Sequence, residues 1–208
     1  MCNLYTQTKS VDEIARIFRD LQMPLQFPEG APNLAARDIA ITDPGANVRG
    51  SPAKAGAQPT TNDSYELVLR RWSWPGQNGR PVYNFRSDGR EFPSGRCLIV
   101  ADGFYEFTTP ADPKQKRKDR WLFTAPDGSM LGIAGLVRTT ADIGEAFTML
   151  TAEPGPDVAS YHSRQVALIA QADWKAWLDH STPARDLIGP LAPGSLTVQP
   201  AMAQPNLL

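Results

Sequence analysis

The amino-acid sequence predicts an α+β protein: a mainly antiparallel β-sheet core, curled like a barrel, with helices at its periphery. Three observations carry that expectation. From Tyr65 onward, short β-patterned segments succeed one another between turn residues. Few helical stretches intervene, which favours antiparallel neighbours over strand–helix–strand units. A clear 3.6-residue apolar period lies near the start of the chain, outside the β-rich region.

Taken in order, Ser10-Val-Asp-Glu13 is a capping box, and Ile14, Ile17, Phe18 and Leu21 follow at helical spacing. This predicts a helix over about residues 10–21, ended by Pro24. Residues 24–62 are rich in Pro, Gly, Ala and Asn, with a short strand candidate at Ile39–Thr42. Apolar residues keep recurring there, so the stretch reads as an ordered loop region rather than a linker. Strands are expected at Tyr65–Trp72, Arg96–Ala101, Gly103–Thr108, Trp121–Ala125, Met130–Arg138 and Ala146–Thr151, with Pro126-Asp-Gly128 as a turn. Arg164–Ala170 and Ser195–Pro200 are further strand candidates. Asp173–Leu178 reads as a short helix with Trp174, Trp177 and Leu178 on one face. No internal repeat interrupts the pattern, and one domain over residues 1–208 is expected.

Composition narrows the function class. With 41% hydrophobic and 21% charged residues, the 208-residue chain has the make-up of a soluble globular protein. No apolar stretch suits a signal or a membrane span, and Cys2 and Cys97 make no disulfide framework. A cytoplasmic location with reduced thiols is expected. Two cysteines and two histidines, far apart, give no metal-ligand spacing, so neither metal nor cofactor is expected. A net charge of −1 excludes a globally basic nucleic-acid binder. The charge is nevertheless uneven: Arg70, Arg71, Arg80, Arg86, Arg90 and Arg96 face only Asp88 and Glu91 within residues 70–96. A second run, Lys114–Arg120, holds five cations and one anion. Such patches can follow a phosphate backbone on a neutral protein, but the second run alone reads as a solvated hairpin tip.

Cys2, directly behind Met1, carries the most chemistry. Removal of Met1 would leave a 1,2-aminothiol, with an amine titrating near ~7.7–8.0 beside a thiol near ~8.5. The amine can form an imine with an aldehyde, and the thiol can close a five-membered ring on it; alternatively, the amine can activate the thiol against an amide. An isolated Cys at this position can also be an accident of the start of translation. Four other polar features stand out: Asn84 and Arg86 in Tyr83-Asn-Phe-Arg86, Glu106 in an aromatic strand, His162 and Arg164 in Tyr161-His-Ser-Arg164, and Thr151 at a strand end. Each has a plain structural reading: a turn Asn, a solvent-facing Glu, a satisfied loop His. Alternation puts Phe104 and Glu106 on one face and Tyr105 and Phe107 on the other, so neither face is clearly wet. Trp72 and Trp74 divide evenly between core packing and stacking on exposed bases. Cys97 reads as a small core hydrophobe.

Together these features match a family. Met1-Cys2, the Asn84-Phe-Arg86 triplet after a Trp/Pro/Gly-rich stretch, the block Gly95-Arg-Cys-Leu-Ile-Val-Ala-Asp-Gly-Phe-Tyr-Glu-Phe107, and His162-Ser-Arg164 before an apolar strand occur in that order. The chain resembles the SRAP family (SOS response-associated peptidase-like proteins) from Cys2 to the Trp174–Leu178 helix. It departs from the common pattern at Asn3 and Leu4, where the family often has Gly-Arg, at Phe85, commonly small, and at Gln165-Val166, often Met-Pro.

The resemblance implies an SRAP fold and an abasic-site processing protein, whose partner is single-stranded DNA and whose Cys2, freed of Met1, forms a thiazolidine crosslink with the ring-opened deoxyribose. It also implies an autopeptidase activity that releases the residue before Cys2. The candidate catalytic residues are Cys2, Asn84, Glu106 and His162; the candidate DNA contacts are Arg86, Arg164 and Thr151, together with Trp72 and Trp74 if they stack on bases rather than fill the core. A monomer is expected, nucleoid-associated when bound. Two other readings stand beside it: an N-terminal-nucleophile cysteine amidohydrolase, and a non-catalytic single-stranded DNA-binding module.

Overall fold

The structure, a computed structural model, describes residues 2–51, 64–76 and 79–201. In chain order its elements are β1 (Leu4–Gln7), α1 (Val11–Asp20), β2 (Leu25–Gln26), β3 (Arg37–Ala40), β4 (Pro44–Gly50), β5 (Tyr65–Trp72), β6 (Trp74–Pro75), β7 (Pro81–Val82) and β8 (Asn84–Arg86). There follow β9 (Arg96–Ala101), β10 (Gly103–Thr108), β11 (Asp119–Thr124), β12 (Leu131–Thr140) and β13 (Gly144–Ala152). The chain continues through α2 (Pro156–Ala159), β14 (Gln165–Val166), β15 (Leu168–Ile169), α3 (Trp174–Leu178), α4 (Ala184–Leu187) and β16 (Thr197–Pro200).

The expected α+β barrel is present. β13, β12, β9, β4 and β5 pair antiparallel in that order, and a parallel contact of β5 with β13 (Arg71↔Ala146, Trp72↔Phe147) closes the ring. A second, five-stranded antiparallel sheet runs β16-β11-β10-β1-β3. β9 shows why both layers hold together. All six of its residues are buried, and alternation sends Cys97, Ile99 and Ala101 into a cluster shared with Tyr5, Phe104 and Phe123 of the second sheet. Leu98 and Val100 enter a different cluster, capped by Ile14 and Phe18 of α1 and by Trp174 and Trp177 of α3. Phe18 and Trp174 stack with ring centroids 5.1 Å apart, and Trp177 Nε1 donates to the Cys97 carbonyl at 2.9 Å. The capping box forms as read: Ser10 Oγ accepts from the Glu13 N–H, and the Glu13 carboxylate accepts from the Ser10 N–H.

Three departures from the sequence reading have physical reasons. The expected strand at Arg164–Ala170 is two short ones, because the chain changes partner at Ala167: its N–H donates to Leu150 of β13, and its carbonyl accepts from Ala134 of β12. The expected loop region contains β4, whose Pro44, Gly45 and Gly50 argue against a strand; pairing on both sides, with β5 and β9, overrides that propensity. Residues 52–62 of that region lie outside the described residues. β1, four residues with only Tyr5 and Gln7 buried, is too short and too polar to be read as a strand in isolation.

β1 and β4 meet through Gly45. A Cβ there would overlap Tyr5 Oη and approach Phe147 Cζ to 3.2 Å. Gly45→Ala is therefore expected to destabilise by about 1–3 kcal/mol. Most of that loss should be recovered in a Tyr5→Phe background, which urea denaturation of the double-mutant cycle checks.

Candidate active site

The start of the chain is held where termini usually fray. β1 lies between β10 and β3, with Tyr5 opposite both Phe104 and Ile39. Tyr5 is fully buried, its ring edge-on to Trp72 at 5.4 Å. Past β1, Asp102 fastens the chain: its carboxylate accepts from the Thr8 hydroxyl at 2.8 Å, from the Thr8 and Lys9 N–H groups and from Lys9 Nζ. Partial burial raises the Asp102 carboxyl, but these donors outweigh it and hold the group below its ordinary value. Gly103 follows because a Cβ there would sit 2.6 Å from the Phe123 carbonyl oxygen. Since β1 and β10 run antiparallel, the chain start is delivered towards the far half of β10, where Glu106 stands.

Cys2 is consequently gripped between two strands. Its N–H donates to the Glu106 carboxylate, and its carbonyl accepts from Asn84 Nδ2 of β8 at 2.7 Å. Its thiol donates to the Leu4 carbonyl at 3.2 Å. Cys2 and Glu106 are each 1% exposed. Burial, reinforced by the Glu106 charge, pushes the Cys2 thiol up to about 12. Burial likewise pushes the Glu106 carboxyl up to about 7, with the Cys2 N–H among the groups that pull against the rise. The inward face of β10 is thus the Phe104/Glu106 face, and Phe104 stacks on Phe123 at 5.1 Å.

His162 reaches the same region through an aromatic pair. Glu106 lies opposite Trp121 in the β10–β11 register, and the Trp121 ring meets Tyr161 at 4.9 Å. The backbone N–H of His162 donates to Val158 in α2, and its Nδ1 lies 3.0 Å from the Arg164 N–H. Burial lowers the imidazole below its ordinary value, so it is neutral at pH 7.

The remaining residues singled out by sequence separate into three groups. β8 pairs parallel with β13, with Asn84 opposite Met149 and Arg86 opposite Thr151. Alternation puts Asn84 and Arg86 on one face, and Arg86 is exposed. Arg164 is engaged within the protein: it pairs with Asp88 at 2.8 Å and donates to the Thr151 carbonyl at 2.7 Å. That carbonyl also accepts from the N–H and hydroxyl of Ser87, so buried Thr151 ties the 86–88 segment to β13. Trp72 and Trp74 are 0% and 7% exposed. Trp72 donates to the Tyr83 carbonyl at 2.9 Å, so both tryptophans pack in the core instead of presenting faces for bases. Cys97 is fully buried.

Sequence reasoning missed Asp102, Tyr5 and the Trp121–Tyr161 pair. The first sat inside the quoted Gly95–Phe107 block, but its role depends on a partner ninety-four positions away. Among the described residues no group of three or more His, Cys, Asp and Glu side chains could hold a metal ion, and no helix is long and apolar enough to cross a membrane. The arrangement suits nucleophilic and proton-transfer chemistry at Cys2, with a carboxyl that changes charge near neutrality.

Comparison with known proteins fixes the family. The model of the family described as SOS response associated peptidase (SRAP) matches residues 1–204. The chain belongs to the SRAP family. No curated protein matches this SRAP chain. Among solved structures, a Bordetella bronchiseptica protein shares 22% identity at a TM-score of 0.68, covering 97% of this chain and 100% of that one. A phage-related protein of the same organism gives 18% and 0.69, covering 97% and 95%. A Bacteroides thetaiotaomicron protein gives 15% and 0.70, covering 97% and 92%. At these identities the likeness concerns the SRAP fold.

The raised Glu106 carboxyl has a cost in stability. Between pH 4.5 and about 7 the unfolded chain releases this proton while the folded protein keeps it, so stability falls as pH rises through that window and stays lower above it. Glu106→Gln is expected to stabilise the fold at pH 7.5 by on the order of 1–3 kcal/mol, with little effect at pH 4.5. Urea denaturation at the two pH values measures this; equal stability changes at both would contradict it.

Proposed function

We propose that this SRAP protein captures abasic sites in single-stranded DNA by forming a thiazolidine between Cys2, once Met1 is removed, and the ring-opened deoxyribose. One observation carries the reading: the Cys2 nitrogen, which becomes the reacting amine, is already hydrogen-bonded to a buried carboxyl poised near pH 7. Such a group can take a proton from the ammonium and return one to the leaving water.

In this reading the neutral His162 imidazole takes the hemiacetal proton and delivers one to O4′, freeing the aldehyde. The amine adds to the aldehyde carbon, and Glu106 protonates the carbinolamine hydroxyl as water leaves, giving an imine. The thiol then adds across the imine; its sulfur bonds to carbon and its proton moves to nitrogen. At about 12 the thiol is protonated at neutral pH, which supports attack by the amine first. The saturated product has no imine to drive β-elimination, so the strand stays intact. Asn84 Nδ2 fixes the Cys2 carbonyl, and its Oδ1 is a buried acceptor unpartnered among the described residues. Arg86, exposed beside Asn84, suits a flanking phosphate, whereas Arg164 suits positioning of the 86–88 segment.

The same thiol and carboxyl suit release of the residue before Cys2: the thiol attacks the carbonyl of the Met1–Cys2 bond, nitrogen leaves with a proton, and water cleaves the thioester. The helix-poor, barrel-built architecture favours the crosslinking reading over the amidohydrolase, whose layered sandwich needs more helix.

With Met1-free protein and an oligonucleotide carrying one abasic site, a heat-resistant retarded band on a denaturing gel is expected. Cys2→Ala should abolish the band and keep single-strand binding; a band that persists in Cys2→Ala rules the chemistry out. The rate should climb between pH 5.5 and 7.5 as Glu106 ionises. Glu106→Gln should flatten that limb and slow the reaction on the order of 10²-fold or more, with binding little changed. Arg86→Ala should lower the log–log salt slope of binding by about 1, measured by fluorescence anisotropy at several salt concentrations.

A further inference from the structure

The hairpin that supplies Glu106 also carries a set of cations that the chemistry above does not use. Its register runs from Glu106–Trp121 through Phe107–Arg120 to Thr108–Asp119. The connecting loop 109–118 therefore starts about 10 Å beyond Glu106, three residues on at roughly 3.4 Å per residue. Residues 111–118 are all exposed. Lys114, Lys116, Arg117 and Lys118 form no ion pair among the described residues.

The loop's own acids are otherwise occupied. Asp112 accepts from the Lys114 N–H at 2.9 Å, and Asp119 accepts from Gln115 Nε2 at 2.8 Å. Arg120 is spent differently: it pairs with Asp38 and lies 3.8 Å over the Tyr105 ring, which fixes the hairpin base. Trp121, against Tyr161, fixes it beside His162, and Lys118 is among the charges felt by that imidazole.

Cys2 sits between β8, through Asn84, and β10, through Glu106. Each of these strands leads to uncommitted positive charge: Arg86 on the β8 side and the loop on the β10 side. We infer that loop 109–118 is a second phosphate-binding arm, gripping the DNA backbone on one flank of the lesion while Arg86 holds the other. The inference rests on the crosslinking reading for why a DNA strand crosses Cys2. Three lysines on flexible stems are hydrated point charges that track a backbone without reading bases. The ligand is thus a run of phosphodiesters, independent of sequence.

The test compares wild type with a variant in which Lys114, Lys116, Arg117 and Lys118 are all alanine. For an undamaged single-stranded oligonucleotide followed by anisotropy, the variant should lose about 2–3 from the log–log salt slope, as four phosphate contacts on a single strand require. A Lys114→Arg/Lys116→Arg/Lys118→Arg variant should keep the wild-type slope, which separates charge from loop folding. Crosslinking is then compared on oligonucleotides with nucleotides only 5′ or only 3′ of the abasic site. The alanine variant should be slowed about tenfold or more on one of the two and unchanged on the other. An unaltered salt slope overturns the inference, and so does equal slowing on both one-sided substrates, which would mark a diffuse field. Because the anisotropy arm needs no covalent step, a wild-type protein that fails to crosslink sinks the crosslinking reading and leaves the arm separately decided.

Discussion

The site depends on the burial of the first strand. A terminal segment ordinarily gains little by ordering, because few contacts offset its lost freedom. Here β1 has a neighbour on each side, a fully buried tyrosine in its centre and an aspartate clamp beyond its end. Those contacts place the Cys2 amide between Glu106 and Asn84. Without them the carboxyl would have no reason to sit in the dry interior, and its proton affinity would fall back to that of any surface glutamate.

The two faces of the ring serve different ends. On the helix side, apolar side chains from β9, α1 and α3 interlock with their indole N–H groups satisfied by carbonyls. On the side of the second sheet, polar groups are buried at a loss. Tyr5 Oη and Asn84 Oδ1 are without hydrogen-bond partners among the described residues. An unmet polar atom costs on the order of 1–3 kcal/mol. The apolar half of the molecule holds the polar half in a geometry it would not adopt alone.

Much of this was legible in the sequence, for identifiable reasons. The α1 capping box and the strands Tyr65–Trp72, Arg96–Ala101 and Gly103–Thr108 announce themselves through local pattern, and they form with those bounds or within a residue of them. β4 was not legible, because its glycine exists to admit Tyr5 from a strand forty positions earlier. The pairing of Cys2 with Glu106 and Asn84 followed from no spacing; the family resemblance grouped those residues, and the fold supplies the contacts. Trp72 and Trp74 look alike in sequence whether they stack on bases or fill a core. Trp72 is buried where β5 meets β13 and Trp74 in the short β6–β7 pair, so both are lost to the core. Arg164 reads as a DNA contact because its pairing with Asp88 is tertiary and leaves no mark in the local sequence.

The enclosure of the Cys2 sulfur bears on durability. Peroxide and electrophilic metabolites attack thiolates that solvent can reach, and a sulfhydryl 1% exposed and protonated throughout the physiological range offers them neither. If Cys2 is the crosslinking nucleophile proposed above, its oxidation to sulfinate before use would disable the molecule. Sheathing the sulfur in β-sheet keeps it reduced and protonated.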